Sequence, residues 1–272
     1  MKAGKLFEID RLLSSSPQER VELYYVPKFM ARLTLPRRIL YQSEWSRKTL
    51  NDSITILSPK RYGIPAGHLS RLIFCDLTRR AKVQKSTDIK LPKSRKKFMA
   101  SLGSHASSGG INGSNPSFRR HFLACLNSTI HLETNTHKET VFSTQSVIEE
   151  AKIIGECDQW NARITLDNGF YNGAQSALPI DWGRLLFLSP STINMDLYIY
   201  LIHRLFRLRR TTCIDWHNLF QQFGNPSYRI CDFRKQFKKA LTEVQTVYPE
   251  AKVITNKSGL ILYPSPQHIQ SY

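Results

Sequence analysis

The chain has 272 residues, with 39 Lys and Arg against 21 Asp and Glu and a formal net charge of +18, so the expected partner is a polyanion, nucleic acid before membrane. No apolar run approaches the ~20 residues that cross a bilayer, and the amino terminus lacks the apolar core and cleavage site of an export signal; a cytoplasmic protein that does not contact membrane is expected. Five cysteines, at 75, 125, 157, 213 and 231, show no C-x-x-C spacing and read as reduced thiols rather than disulfides or metal ligands.

Residues 1–52 are basic, with scattered apolar positions and a Ser-Pro break at 14–17, and are expected to form a partly ordered arm. The alternation at 53–57 predicts a strand. Pro65-Ala66-Gly67 opens a helix to about residue 85, with Leu69, Leu72, Ile73, Leu77 and Ala81 inward and Arg71, Arg79, Arg80 and Lys82 outward. A short strand follows at 88–91, then a helix at 93–102 with Phe98, Met99 and Leu102 inward. After a flexible Gly/Ser-rich loop at 103–115 comes a third helix at 116–127, burying Phe118, Phe122 and Leu126. Extended segments at 128–133 and 162–166 are candidates for a pair of strands, although the 28 residues between them are many for one turn. The Gly/Asn-rich stretch 168–176 reads as a domain junction.

The last hundred residues repeat the order. A helix over 190–210, opened by Ser189-Pro190, places Ile193, Leu197, Tyr200, Leu201, Leu205 and Leu208 on one face. A second helix near 216–223 stops at Gly224-Asn225-Pro226. A third, over 228–248, buries Phe233, Phe237, Leu241, Val244 and Tyr248, while cations crowd its other faces. Pro249 ends it, and residues 252–255 and 260–263 form a hairpin. Helix, helix, basic helix, hairpin is the order of a winged helix, whose third helix usually enters the major groove. The expected fold is therefore α+β: two tandem winged-helix domains, at 53–172 and 173–272, behind the basic arm at 1–52, with the second domain the main reader of DNA.

Charge is uneven: residues 1–130 hold 24 basic and 8 acidic side chains, and residues 131–272 hold 15 and 13. The first half supplies the long-range attraction and the second the better-shaped helix. The candidate DNA-binding residues of the second domain are Arg229, Arg234, Lys235, Lys238 and Lys239 on its third helix and Lys257 at its hairpin tip. Those of the first are Lys93, Arg95, Lys96 and Lys97, placed to meet phosphate, and Arg119, Arg120 and His121 on the third helix. Arginine suits a bidentate contact to guanine, whereas lysine on phosphate adds affinity without much sequence choice. The eight histidines include no His-x-His pair and there is no G-x-x-x-x-G-K-[ST] loop, so no catalytic residue, metal or cofactor is expected.

Several segments together resemble RepA-type plasmid replication initiator proteins. They are residues 62–72 (YGIPAGHLSRL), 98–103 (FMASLG) with Gly109-Gly110, Leu178-Pro179-Ile180-Asp181-Trp182, Met195-Asp196-Leu197-Tyr198 with Leu201 and Arg204, and Gln222-Phe223-Gly224. Asp232-Phe233-Arg234 with Phe237, Tyr248-Pro249, and Gly259-Leu260 through Pro264-Ser265 continue the match, which covers roughly residues 33–266. The resemblance implies a non-enzymatic protein that binds repeated duplex sites at a plasmid origin, opens the duplex, and recruits host helicase, helicase loader and initiator; homodimers in such families often repress the initiator's own gene. A repressor without initiator activity, an origin-nicking enzyme and a sequence-indifferent nucleic-acid-coating protein are the alternatives.

Overall fold

The computed structural model describes residues 22–104, 113–136, 139–154, 161–266 and 268–269. The Ser-Pro break at 14–17, most of the Gly/Ser-rich loop with Gly109-Gly110, and Cys157 lie outside them. The chain is mixed α+β, as expected, and divides into two compact units: Tyr25–Leu178, and Pro179–Tyr272 with the described residues 22–24.

In the first unit the segment read as an arm is built into the structure from residue 22 onward. Strand β1 (Leu23–Val26), helix α1 (Lys28–Arg32) and strand β2 (Glu44–Lys48) come from it. Phe29, Met30, Leu33 and Leu35 are buried, Phe29 standing edge-on to Phe74 with ring centres 5.2 Å apart. Their spacing follows no single period, so composition concealed a core contribution. β3 (Asp52–Leu57) and helix α2 (Gly67–Gln84) follow, then β4 (Asp88–Lys90), α3 (Arg95–Ser101) and α4 (Ser114–Leu126). Phe98 of α3 packs edge-on against Phe118 and Phe122 of α4 at 5.4 and 5.8 Å.

Arg71, expected outside α2, is fully buried. Its guanidinium donates to the carbonyls of Leu35 (2.7 Å), Pro36 (3.2 Å) and Gly67 (2.7 Å), so residues 35–36 are fastened to the helix by a cation whose donors find acceptors. Helical periodicity alone counts arginine as outward, which is why the expectation failed.

The expected pairing of 128–133 with 162–166 is not formed. β5 (Thr129–Asn135) lies between β3 and β6 (Thr140–Ser146) in a four-stranded antiparallel sheet of order β2-β3-β5-β6. β8 (Asn161–Leu166) instead pairs with β4 and with β7 (Ile148–Ile154), in the order β4-β8-β7. The 28 intervening residues thus hold two strands that alternation missed, because β6 is solvent-facing over most of its length and β7 has two consecutive glutamates after its first residue. The Gly/Asn-rich stretch read as a junction is a helix that ends just before the boundary between the units: α5 (Asn168–Gln175) is capped by Asp167, whose carboxylate accepts from Gly169 N at 2.8 Å and Phe170 N at 3.4 Å.

β9 (Leu178–Asp181) leads into the second unit, where α6 (Trp182–Leu188) starts at an Asp181 cap. Tyr24 stacks on Trp182, ring centres 3.8 Å apart. α7 (Thr192–Leu205) begins after Ser191 rather than at Ser189-Pro190, and ends before Leu208. β10 (Thr212–Asp215), α8 (Trp216–Phe223), α9 (Ile230–Val247), β11 (Val253–Thr255) and β12 (Gly259–Leu262) complete it. The β11–β12 hairpin is the expected one. β10, which was not expected, adds to it in the order β10-β12-β11. Its approach demands glycine at 259: a Cβ there would lie 1.9 Å from the Ile214 carbonyl oxygen.

Each unit thus contains the order helix, strand, helix, helix, strand, strand, from α2 to β8 in the first and from α7 to β12 in the second, and in both three-stranded sheets the last strand sits between the other two. In the first unit β5 and β6 are inserted before the final pair.

Candidate nucleic-acid interface

α9 forms because Phe233, Phe237, Ala240, Leu241, Val244 and Val247 recur every three or four residues and all are buried. Asp232 in the first turn suits the positive end of the helix dipole. Phe237 meets Trp216 edge-on at 5.7 Å and Phe233 meets Phe220 at 5.3 Å, so α8 and α9 share an aromatic core. The opposite face carries Arg234, Lys235, Lys238 and Lys239, all exposed. Among the described residues no carboxylate forms an ion pair with any of the four. Glu243, the acidic side chain one turn on, is held by Asn194 Nδ2 at 2.6 Å.

Trp216 organises this face as well as the core. Arg234 and Lys238 place their cations 5.5 and 5.9 Å from its ring centre, a cation–π arrangement that restrains two long side chains one turn apart. The indole N–H donates to the Asn256 carbonyl, and the Trp216 backbone N–H to that of Ser258, both at 3.2 Å. Asn256 Oδ1 accepts from the N–H groups of Ser258 and Gly259 at 2.8 Å each, which fixes the hairpin turn and exposes Lys257 at its tip. One buried indole thus links the cations of the helix to the lysine of the hairpin. Arg229 stands apart from the row: it precedes the helix and pairs with Asp232 at 2.9 Å. That contact holds the Asp232 carboxyl below the usual carboxylate range and raises Arg229.

The first unit places its candidates differently. Lys93, Lys96 and Lys97 are exposed around the start of α3, where Ser94 caps the helix. Arg95, Arg119 and Arg120 line a cleft of about 610 Å³ together with Arg61, Tyr41 and Tyr62. His121 turns away from them. Its Nδ1 lies 3.0 Å from Ser70 Oγ, and its ring sits against Gly67, whose φ is +70°. Burial first, then His68 and Arg120, push His121 down to about 4, so near neutral pH it is an uncharged link between α2 and α4.

Arg61, Tyr41 and Tyr62 were not named as binding residues from the sequence, although Tyr62 opens the segment 62–72 that carries the family resemblance, since they lie in connecting segments far along the chain from the helices whose residues they face. The exposed Arg204, Arg207, Arg209 and Arg210 were also passed over. They lead into β10, whose first residue pairs with Leu262 and whose last pairs with Gly259, so this basic loop meets the end of the sheet away from the Asn256–Ser258 turn.

A two-unit α+β chain with this element order is similar in fold to domains 2 and 3 of RctB. A selenomethionine crystal structure of those domains gives a TM-score of 0.57 at 12% identity, covering 95% of this chain and 99% of that one. A second RctB structure, of residues 155–483, gives 0.52 at 13%, covering 86% and 94%. No curated protein sequence matches the chain. The family model described as plasmid encoded RepA protein matches residues 64–218, and the chain belongs to that family. No helix among the described residues is long and apolar enough to cross a membrane.

Proposed function

We propose that this chain is a plasmid replication initiator that binds specific, repeated duplex sites at its origin and opens the duplex with binding energy alone. Family membership supports the initiator role. The observation that carries the DNA-reading part is the row Arg234, Lys235, Lys238, Lys239 on α9, unpaired by carboxylates among the described residues, with Arg234 and Lys238 over the Trp216 ring that is bonded to the hairpin turn. In this reading each unit is a winged helix. α9 enters the major groove and the β11–β12 turn carries Lys257 toward the adjacent backbone or groove. α4 takes the matching place in the first unit, with β7 and β8 as its wing; the duplex contacts of that unit are assigned to the exposed Lys93, Lys96 and Lys97, and not to Arg119 and Arg120, which line a cleft.

Arg234 contributes sequence choice and the lysines contribute phosphate contacts. Arg229, occupied by Asp232, is a weaker contributor. The initiator reading also includes host helicase, helicase loader and initiator as partners, and a homodimer as a second state. Selection of bound duplexes from a random pool, with the winners titrated against scrambled DNA at several salt concentrations, tests it. A recurrent site preferred by ~10³-fold or more is expected, with log K falling by roughly 0.9 per phosphate contacted for each decade of salt. A preference within about tenfold on every sequence would leave only a charge-driven coating protein.

A further inference from the structure

The cleft of the first unit has chemistry that duplex binding does not require. Its arginines come from three places: Arg61 ahead of α2, Arg95 at the start of α3, and Arg119 and Arg120 on α4. Among the described residues none of the four forms an ion pair with a carboxylate. Four like charges around one concavity repel each other, so an anion that bridges them gains more there than on an open helix face. Guanidinium forks match phosphate oxygens in pairs.

The same cleft offers flat aromatic surface. Arg61 stacks its guanidinium 4.6 Å from the centre of the Tyr62 ring, and Tyr41 is 56% exposed. At about 610 Å³ the space falls in the usual range for small-ligand sites. It is far too small for a double helix, whose base faces are in any case covered by stacking.

We propose that this cleft binds a single unstacked nucleotide, its base against Tyr41, beside the Arg61–Tyr62 stack, and its phosphate on Arg95, Arg119 and Arg120. Two sources share that chemistry: a nucleotide of an unpaired strand and a free nucleoside triphosphate. The site lies in a different unit from α9 and uses none of its residues, so the two functions are separable by mutation.

The test uses the full chain. Affinities are measured for a labelled dT12 strand, for dTTP by calorimetry, and for a duplex. The proteins are wild type, the Arg119→Ala/Arg120→Ala double variant, Tyr41→Ala, and a Lys235→Ala/Lys239→Ala control on α9. Tyr41→Ala removes an exposed ring outside any helix, so it stays informative should the double arginine variant fold poorly. Loss of one stacking contact is expected to weaken dT12 binding by roughly fivefold to a hundredfold. The arginine pair is expected to cost about tenfold or more on dT12, with duplex affinity changed less than about threefold. The α9 control is expected to show the reverse.

Displacement of dT12 by dTTP would mark the free nucleotide as a ligand; failure of dTTP to displace it, with dT12 still sensitive to the cleft variants, would mark the strand. Equal losses on dT12 and duplex from the cleft variants, or no loss on either, would overturn the proposal. Unchanged duplex binding by the α9 control would instead count against the DNA-reading role of α9 and leave the cleft standing.

Discussion

Two basic helices, α4 and α9, occupy the same place in the same order of elements, yet they present their cations in different ways. On α9 the charges stand on an outward face above a buried indole that also holds the hairpin turn. On α4 two arginines point into a cleft shared with other segments, and the third candidate, His121, faces inward to Ser70. A cluster of positive residues on an amphipathic helix therefore says which side is not core. What lies beside that face decides whether the surface suits a duplex groove or a smaller anion.

The largest expected effect breaks the comparison at its centre. Trp216→Ala should destabilise the second unit by about 3–5 kcal/mol, the usual cost of truncating a large buried aromatic, because the side chain is 2% exposed and packs on Phe237. It should also loosen Lys257 and Arg234, so that duplex affinity falls even where the protein remains folded. Phe98→Ala, in the first unit, should cost a similar amount: Phe98 is fully buried between Phe118 and Phe122. It should leave the α9 surface intact. Chemical denaturation of each variant, with duplex binding measured below its transition, checks both. Equal effects of the two on duplex binding would mean that Trp216 does not organise the interface.

A middle-sized effect sharpens the division of labour on α9. Arg234→Ala should reduce discrimination between cognate and random duplex by ~1–3 kcal/mol, whereas Lys239→Ala should weaken both alike and lower the salt slope by roughly one contact. Neither should move the unfolding midpoint much, since both side chains are exposed. Equal losses on cognate and random duplex for Arg234→Ala would assign it to phosphate instead.

Much of this was legible in the sequence where a short segment determines its own structure. α8 is where the pattern placed it, and α9 and the β11–β12 hairpin differ from expectation by a residue or two, because their apolar spacing, Pro249 and the Asn-Lys-Ser-Gly turn are local signals. The failures share a different cause. Arg71 is inward because carbonyls 35 and 36 positions away accept from it. β6 and β7 are strands because β5 and β8 supply partners, with little alternation of their own. Asn168–Gln175 is helical despite two glycines because Asp167 caps it and Phe170 and Ala174 are buried. The same limit applied to the sites: the cations of α9 were read from one helix, whereas the cleft needs Tyr41, Arg61 and Tyr62 beside α3 and α4, a convergence that no linear pattern encodes.

The smallest effect concerns His121, where the two helices differ most in kind. In the folded protein its pKa is about 4, against 6.5 for an unperturbed histidine. The unfolded chain therefore takes up the proton first on acidification. Stability from this group is complete above about pH 6.5, falls as pH drops toward 4, and changes no further below that. His68, lowered by burial and by Arg71, and His268, lowered to about 3 by burial and by Arg184, act in the same direction, so the wild-type midpoint should fall across this window for more than one reason. His121→Gln keeps a polar side chain near Ser70 without a titrating ring. Its midpoint should accordingly drop less than that of wild type between pH 7 and pH 4.5. An identical pH profile for His121→Gln and wild type would mean that His121 takes up its proton equally in the folded and unfolded chain, so that burial between α2 and α4 does not hold its ring neutral.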